Sequence, residues 1–483
     1  MLIKEMFSLG AVFVNGAENV NVEALTIDSR KCKAKTLYFA INGTQVDGHK
    51  FVQSAYENGA CAAVVEHKVE CEIPQIIVEN TRSAMAHASA SFYSNPAEKL
   101  KMIGVTGTNG KTSISYIVKA IAKANGISCG VIGTSGIYVD DEKLDVKILT
   151  STTPDPIELH YALSLMVEKG AKWVVMEVTA HALDLYKVDG ISFVSAGFTN
   201  LTQDHLDYFV TMENYAKTKE KFFLPEHSQK GIVNIDDSLG RKIYSDRNVP
   251  CLSYSISKHA DLTAKNIVLH SATSEFTLEY ENKEYSILTS TTGLFNISNV
   301  LCAIGCCISA GLGIEECVKG IKTFSFVPGR FEAVNTNGRD ITVIVDYAHT
   351  PDGLENVLSS INAFKKGKLI CVFGCGGNRD SAKRSIMGRI AGQLSDYCVL
   401  TSDNPRFEEP ESIIDSIEQG IKNTDCPYER NADREEAIKI ALTLAQKGDV
   451  IAICGKGDED YQEICGVKHH FSDREIVEKL TAE

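Results

Sequence analysis

Three features are missing from this chain of 483 residues, and each absence excludes a class of protein. No apolar run approaches the ~20 residues that a membrane-spanning helix needs, and the start of the chain, Met1 to Met6, lacks the layout of a signal peptide. Basic residues are not in excess, and the net charge of -14 disfavours a surface that neutralises nucleic-acid phosphates. We therefore expect a cytoplasmic protein that neither inserts into a membrane nor binds nucleic acid.

The cysteines also lack a pattern. None of the 15 cysteines forms a C-x-x-C pair, the spacing typical of zinc and redox sites. Several lie inside apolar runs, among them Cys302, Cys306, Cys371 and Cys454. We interpret them as buried, reduced thiols, the alternatives being disulfides or a metal site.

The length of the chain predicts about three domains. Apolar runs that read as strands alternate with helical patterns, which is typical of parallel sheets with helices on both faces. The predicted strands of these sheets are residues 101–106, 172–178, 195–201, 231–235, 341–345, 369–373, 397–401 and 450–454. Residues 255–292 look like a smaller, strand-rich excursion.

The most informative motif is a glycine-rich turn, Gly107-Thr108-Asn109-Gly110-Lys111-Thr112-Ser113, between a predicted strand and a predicted helix. Backbone N–H groups of such a turn point at an anion, and the helix dipole favours negative charge there. Lys111 adds a cation for the outer phosphates, and Thr112 a hydroxyl for Mg²⁺. The strict P-loop pattern places its first glycine at position 105, whereas this chain has Val105 and a glycine at 104. The alternative is a strand–turn–helix with incidental glycines.

Polar clusters follow six of the predicted strands. Ligands of open parallel sheets bind beyond the carboxyl ends of the strands, so these clusters are candidates for a site. They contain Glu177, Thr179 and His181; Asn200, Asp204, His205 and Asp207; Asp346, Tyr347 and His349; Cys375 to Arg379; Asp403 to Arg406; and Gly455 to Gly457.

Two of these side chains suggest a metal. Glu177 stands in an apolar strand, and a buried carboxylate needs a cation, either Mg²⁺ with nucleotide phosphates or a lysine in a structural ion pair. His205 is either a metal or phosphate ligand, or a histidine that caps a helix or lies at the edge of the core.

Together these motifs resemble the Mur ligases, the ATP-dependent enzymes that build the peptide stem of peptidoglycan. The resemblance runs along the whole chain and includes the Gly-Thr-Asn-Gly-Lys-Thr form of the loop with glycine at 104. The other shared motifs are Asp28-Ser29-Arg30, Asp47-Gly48-His49, Met176-Glu177-Val178, residues 200–207, Gly293 with Phe295, Asn296 and Asn299, residues 327–332, residues 346–352 and residues 374–380.

The resemblance implies a three-domain α/β fold. We expect a small N-terminal domain for the UDP substrate at 1–98, a central P-loop parallel-sheet ATPase domain at 99–326, and a Rossmann-like, amino-acid-binding C-terminal domain at 327–483. It also implies a ligase that joins 2,6-diaminopimelate to a UDP-N-acetylmuramoyl dipeptide through an acyl phosphate, with small molecules as its partners and a monomeric state.

The resemblance assigns residues to ATP and Mg²⁺. The implied catalytic residues are Lys111, Glu177, His205 and Lys219. ATP is expected at residues 107–113, with Asn296, Arg330, Asp346 and His349 on the adenosine side and the domain interface. Thr112, Glu177, His205 and a carbamylated Lys219 are the implied Mg²⁺ ligands. Without the resemblance, the lysine-rich stretch with Lys217 and Lys221 would indicate that Lys219 is a solvated surface residue.

The remaining assignments concern the two substrates that are joined. The UDP substrate is expected at Ser29, Thr44, Gln45, Val46, Ser151, Thr152, Thr153, Thr179 and Lys187. Diaminopimelate is expected at Arg379, Asp403, Asn404, Pro405, Arg406, Gly455 and Glu459. Arginine matches a carboxylate bidentately, so Arg406 is expected to bind the distal carboxylate that lysine lacks. Lys187 stands where relatives often have arginine, and keeps the charge without the planar fork.

Two other hypotheses remain. The first keeps the chemistry but changes the acceptor, as in a lysine-adding or folylpolyglutamate-synthetase-like ligase, and Arg406 argues against it. The second is a catalytically silent, nucleotide-binding partner protein of cell-wall synthesis, and the intact Lys111, Glu177, His205 and Lys219 argue against it.

Overall fold

A computed structural model describes residues 1–7, 10–43, 46–148, 150, 152–270 and 272–482. The described residues form three α/β domains, each built on one sheet. No helix among them is long and apolar enough to cross a membrane.

The N-terminal sheet has the order β1-β5-β4-β3-β2, and only β1 runs antiparallel to its neighbour. Its elements are β1 (Val12–Val14), β2 (Ala24–Thr26), β3 (Thr36–Phe39), α1 (Val52–Glu57), β4 (Ala60–Val65), β5 (Gln75–Ile77) and α2 (Thr81–Phe92).

The central sheet is mainly parallel, with antiparallel strands at both edges, and β6 lies between β11 and β10. Its strands are β6 (Lys101–Thr106), β7 (Cys129–Gly133), β8 (Gly136–Val139), β9 (Glu142–Lys143), β10 (Trp173–Glu177), β11 (Ser195–Phe198), β12 (Gly231–Asn234), β13 (Cys251–Ser255), β14 (Leu262–Leu269), β15 (Ser274–Tyr280) and β16 (Lys283–Thr289). Its helices are α3 (Lys111–Ala124), α4 (Pro156–Glu168), α5 (Ala180–Asp184), α6 (Leu206–Phe209), α7 (Met212–Glu220), α8 (Ser238–Asp246), α9 (Leu294–Ser309) and α10 (Ile314–Ile321).

Alternate residues of the central strands pack into two separate cores, as the pleat of a strand requires. Ile103 and Val105 of β6 pack with α3, α9 and α10, whereas Met102 packs with α4 on the other face. Helices therefore cover both faces of the sheet. The strand-rich segment expected at 255–292 forms the antiparallel strands β14, β15 and β16, which extend this same sheet.

Gly104 belongs to β6 and not to the phosphate loop. A Cβ at this position would overlap the rings of Phe222 and Phe193. Val105, at the position of the first glycine of the P-loop pattern, is fully buried in the core. The off-pattern glycine is therefore explained by aromatic packing behind the strand.

The C-terminal sheet has the order β17-β18-β22-β19-β20-β21, with only β17 antiparallel, and a separate hairpin follows it. Its elements are β17 (Glu332–Val334), β18 (Thr342–Asp346), α11 (Pro351–Phe364), β19 (Leu369–Phe373), α12 (Lys383–Leu394), β20 (Tyr397–Leu400), α13 (Pro410–Ile421), β21 (Tyr428–Arg430), α14 (Arg434–Leu444), β22 (Val450–Cys454), β23 (Tyr461–Ile464), β24 (Val467–His470) and α15 (Asp473–Ala482).

Val210 has a strained backbone just after α6. Its φ of 67° and ψ of -44° are unusual for a β-branched residue, and the N–H of Thr211 donates to the carbonyl of Phe209 across it at 2.8 Å. Its side chain is 74% exposed, so no packing compensates for the strain.

We predict that Val210→Gly raises the free energy of unfolding by about 1 kcal/mol, because relief of the strain exceeds the entropy cost of glycine. Val12→Gly in β1 is the control, since Val12 is exposed but has ordinary strand geometry. Urea unfolding measures both variants. A Val210→Gly variant that is destabilised as much as the control would contradict the strain.

His160 of α4 is fully buried, and neither ring nitrogen has a hydrogen-bond partner among the described residues. Burial lowers its pKa to about 4, and His87 adds to the effect. An unfolded histidine has a pKa of ~6.5, so the unfolded state binds more protons as the pH falls from ~6.5 to ~4, and stability is lost over that range.

We predict that His160→Leu flattens the acid side of the stability curve. The difference in free energy of unfolding between pH 7 and pH 5 shrinks by ~2 kcal/mol relative to the wild type. Urea unfolding at both pH values checks this, and parallel curves for variant and wild type would refute it.

Candidate active site

A cavity of about 890 Å³ lies between the central and C-terminal domains. The carboxyl ends of β6, β10 and β11 open into it from one side, and those of β18, β19 and β22 from the other. It is large enough for a sizeable ligand. The predicted residues that line it are 108–113, Thr152, Thr153, Glu177, Thr179, Lys187, His205, Arg330, Asp346, His349, Arg379, Asp403, Asn404, Arg406, Gly455 and Glu459.

The segment directly after β11 binds the phosphate loop through hydrogen bonds. The N–H of Thr108 donates to the carbonyl of Asn200 at 2.9 Å, and the N–H of Asn109 donates to the Asn200 side chain at 2.9 Å. Gly107 and Gly110 have positive φ, and a Cβ on either would overlap Thr199 or Asn299. No side chain caps the N-terminus of α3, so its N–H groups face the cavity.

Lys111 lies across this loop. Its Nζ donates to the carbonyls of Gly107 at 2.9 Å and Thr108 at 2.7 Å. Burial lowers the pKa of Lys111, and the carboxylates of Glu177 and Asp204 oppose the effect. The arrangement orients a cation over the N–H groups that would receive phosphate.

Glu177, only 2% exposed at the end of β10, has no ion-pair partner among the described residues. Its carboxylate accepts from the Thr112 hydroxyl at 2.9 Å, the Thr134 N–H at 3.0 Å and the Thr134 hydroxyl at 3.1 Å. The expected alternative, an ion pair with lysine, is therefore not what the structure shows. A buried anionic oxygen beside a hydroxyl and a phosphate loop fits Mg²⁺.

No group of three or more His, Cys, Asp or Glu side chains in the described ranges could hold a metal by itself. Mg²⁺ needs only one or two protein carboxylates when phosphate oxygens complete its shell. The donor set at Glu177 and Thr112 is thus suited to a metal that arrives with a nucleotide.

Lys219 of α7 is 1% exposed, whereas its neighbours Lys217 and Lys221 have exposed side chains. Its Nζ donates to the carbonyl of Gly107 at 3.0 Å and lies 4.6 Å from the centre of the Tyr215 ring. Burial, followed by repulsion from Lys111, places its pKa well below the usual value. It is therefore not a solvated surface lysine.

His205 has its ring near the acid that precedes it. Nε2 lies 3.3 Å from Asp204 Oδ2, and the ring meets His181 edge-on at 4.9 Å. Its side chain makes no capping hydrogen bond to α6. Burial lowers the pKa of His205, while Asp204 opposes the effect, so the ring is suited to ligation as a neutral base.

Arg330 and Asp346 bring the C-terminal domain to the loop. Arg330 Nη2 donates to the Thr112 hydroxyl at 3.4 Å, and its guanidinium lies 4.0 Å from the centre of the Tyr347 ring. Asp346 accepts from two backbone N–H groups, and burial raises its pKa to about 6. Burial lowers the pKa of His349 to about 4, and Lys383 adds to the effect.

The hydroxyls expected for the UDP substrate border Glu177. The Thr153 hydroxyl donates to the Glu177 carbonyl at 2.8 Å, and Thr152 and Thr134 join their hydroxyls at 3.2 Å. Lys187 is buried and pairs with Asp155 at 3.1 Å.

The other predicted residues for this substrate lie elsewhere. Ser29 and Val46, in the N-terminal domain, are not in the lining of the cavity. Thr44, Gln45 and Ser151 lie outside the described residues.

The predicted amino-acid pocket forms the far end of the cavity. Arg406 Nε lies 3.3 Å from Glu463 Oε2, and its Nη1 donates to the Gly377 carbonyl at 2.9 Å. Asn404 donates to Glu459 at 2.8 Å. Burial raises the pKa of Glu459, and Asp403 adds to the effect. Pro405 is not in the lining, and Arg379 is exposed at its rim.

A buried ion pair lies behind this pocket. Arg434 and Asp473 are both fully buried and bind through two hydrogen bonds of 2.7 Å. The same guanidinium donates to the carbonyls of Ser402 and Cys454, the residues before Asp403 and Gly455. The pair therefore fixes two strand ends that carry pocket residues.

Several lining residues are absent from the sequence-based prediction. Asn296 is buried in α9 and donates to Thr292 away from the cavity, whereas Asn299, one turn later, lines it. Thr134 and Lys383 belong to none of the motifs or strand-end clusters of the sequence analysis. Asp204 stood in a strand-end cluster, and its position there could have identified it.

Comparison with known proteins agrees with this architecture. Three family models match the chain: the Mur ligase family catalytic domain over residues 21–93, the Mur ligase middle domain over 105–307, and the Mur ligase glutamate ligase domain over 329–457. The chain belongs to the Mur ligase family. The resemblance seen in the sequence motifs is therefore confirmed.

One relative of this Mur ligase is a UDP-N-acetylmuramoyl-L-alanyl-D-glutamate–2,6-diaminopimelate ligase from Clostridium tetani, 44% identical over 491 residues and covering 100% of both chains. A solved structure of an enzyme with that name is 30% identical, has a TM-score of 0.69, and covers 95% of each chain. A Thermotoga maritima MurF ligase, solved with ADP, shares the fold at 19% identity with a TM-score of 0.62, covering 91% of this chain and 94% of that one.

Proposed function

We propose that this Mur ligase uses ATP to join meso-2,6-diaminopimelate to the γ-carboxylate of UDP-N-acetylmuramoyl-L-alanyl-D-glutamate. One observation carries the proposal: a single cavity holds the phosphate loop at one end and the Asp403–Arg406 pocket at the other. The curated relative with full-length coverage carries the same activity in its name. These substrates belong to peptidoglycan precursor synthesis in the cytoplasm, where we place the protein as a monomer.

The first chemical step would take place at the phosphate loop. The γ-carboxylate attacks the γ-phosphorus of ATP, ADP leaves, and an acyl phosphate forms. Lys111 and the N–H groups of α3 would stabilise the charge of the transferred group. Thr153 bonds to the Glu177 carbonyl and to Thr179, and Thr152 bonds to Thr134, so these hydroxyls beside Glu177 would orient the carboxylate.

Mg²⁺ would neutralise phosphate charge when bound. Thr112 and Glu177 would hold one ion, and His205 and a carbamylated Lys219 a second. Lys219 is suited to carbamylation because burial favours its neutral amine, which reacts with CO₂. A carbamate keeps one N–H, so the hydrogen bond to Gly107 can persist.

The second step joins the amino acid. Its amine attacks the acyl carbon, and inorganic phosphate leaves. Arg406 would bind the distal carboxylate bidentately, and Glu459 the distal ammonium. Arg379, Asn404 and Gly455 would complete the pocket. Ser29, Thr44, Gln45 and Val46 would hold the uridine end in a domain spanning 1–98, with the ATPase domain at 99–326 and the amino-acid domain at 327–483.

The ligation is tested by offering diaminopimelate and lysine in parallel, with ATP and the UDP dipeptide, and by measuring phosphate release and product mass. We expect release that depends on diaminopimelate and a product carrying it. Phosphate release identical with and without diaminopimelate would contradict the ligase function.

We predict that Arg406→Ala lowers kcat/KM for diaminopimelate about 100-fold, because the distal carboxylate loses its charged partner. The kcat/KM for lysine should change little, so the preference shrinks. Arg389→Ala, an exposed arginine of α12, is the matched control and should keep the preference. An unchanged preference in Arg406→Ala would show that the distal carboxylate binds elsewhere.

We predict that Lys219→Ala lowers kcat at least 10-fold and that acetate restores part of it, because acetate supplies the missing carboxylate. Lys217→Ala, on the exposed face of the same helix, should behave like the wild type. Rescue by methylamine in place of acetate would show that the unmodified amine acts, and would contradict carbamylation.

A further inference from the structure

Lys383 is the first residue of α12 and lines the cavity between the two domains. It is 6% exposed. Within the described ranges, its Nζ has neither a hydrogen-bond acceptor nor an ion-pair partner at bonding distance. Burying an unpaired ammonium is costly, so such a group requires an anion from a ligand.

The other buried lysines of the described chain do not share this property. Lys187 pairs with Asp155, Lys219 donates to Gly107, and Lys456 donates to Asn404 at 3.1 Å. The neighbouring Arg384 also has an ion-pair partner, since its guanidinium lies 2.9 Å from the Glu408 carboxylate. Lys383 is therefore exceptional, and the vacant side of its ammonium faces the cavity.

The surroundings of Lys383 indicate where its anion would lie. Lys383 lines the same cavity as Asp204 and His349, on the side of the phosphate loop, and as Asp403 and Arg406, on the side of the predicted amino-acid pocket. Lys383 thus lies between the loop and the amino-acid pocket. At the start of α12 the Ala382 N–H donates to the Asp380 carboxylate at 2.9 Å and the Arg384 N–H donates to the Ser381 carbonyl at 3.2 Å, so the Lys383 ammonium itself supplies the positive charge there.

We propose that Lys383 binds the phosphate of the acyl phosphate and stabilises it as it leaves. Lys383 is then a catalytic residue supplied by the C-terminal domain, opposite Lys111 of the central domain. The proposal rests on the proposed ligase function.

The step that Lys383 assists is the displacement of phosphate. The lone pair of the amine forms the C–N bond, and the acyl C–O bond breaks with its electron pair going to the phosphate oxygen. The proton lost by the amine nitrogen is taken up by phosphate, so acyl phosphate dianion and neutral amine give amide and HPO₄²⁻. Negative charge grows on the leaving oxygen, where a fixed cation lowers the barrier.

The test is steady-state kinetics of Lys383→Met and Lys383→Arg with ATP, the UDP dipeptide and diaminopimelate. We expect Lys383→Met to lower kcat about 100-fold with the KM for diaminopimelate within about twofold of the wild type, the loss that follows removal of one transition-state donor. Lys383→Arg keeps the charge and should recover part of the rate. Lys422→Met, at an exposed lysine directly after α13, is the matched control.

Two results would overturn the proposal. An unchanged kcat in Lys383→Met would show that the ammonium does not act in the reaction. A raised KM for diaminopimelate with unchanged kcat would place a substrate carboxylate, and not phosphate, at Lys383. Thermal unfolding confirms that each variant is folded. Failure of the ligase function itself is distinct, because the wild type would then release no phosphate in response to diaminopimelate.

Discussion

The contact between the phosphate loop and the C-terminal domain is the interaction on which the site depends. Asn109 donates to Asp352, at the start of α11, at 2.8 Å, and Arg330 reaches the Thr112 hydroxyl at 3.4 Å. These bonds bring the carboxyl ends of two unrelated sheets to face each other. Neither sheet alone contains both the phosphate loop and the predicted amino-acid pocket, and separating the domains would expose the proposed acyl phosphate to water.

Buried charges in this enzyme divide into those the protein satisfies and those it leaves for ligands. Arg434 and Asp473 satisfy each other and hold two strand ends. Glu177 and Lys383 are equally well buried, yet they have no ion-pair partner in the described part of the chain. A buried charge without a partner lowers the free energy of unfolding. Binding of metal at Glu177 and of phosphate at Lys383 would offset this loss.

Sequence reasoning worked where the signal is local. The strands β6, β10, β19 and β22 are continuous apolar runs, and the loop after β6 has the residue types that a phosphate cradle needs. The sequence did not show which side chains of a helix face the cavity, because that depends on how the helix packs. Asn296 and Asn299 are three residues apart, and only packing of α9 shows that the second faces the cavity. Lys219 differs from Lys217 and Lys221 only in sharing the buried face of α7 with Tyr215. No local sequence pattern marks Lys383 as a site residue, because the cavity that it lines is completed by the central domain, which is distant in sequence.

The central claim is that a substrate carboxylate is phosphorylated in the cavity before the amine arrives. The direct measurement labels the γ-carboxylate of the UDP dipeptide with ¹⁸O and follows the label by mass spectrometry of the released phosphate. An acyl phosphate leaves one carboxylate oxygen on phosphorus. When both oxygens of the γ-carboxylate are ¹⁸O, we therefore expect each released phosphate to carry one ¹⁸O atom. Phosphate free of label, released alongside ligated product, would contradict it.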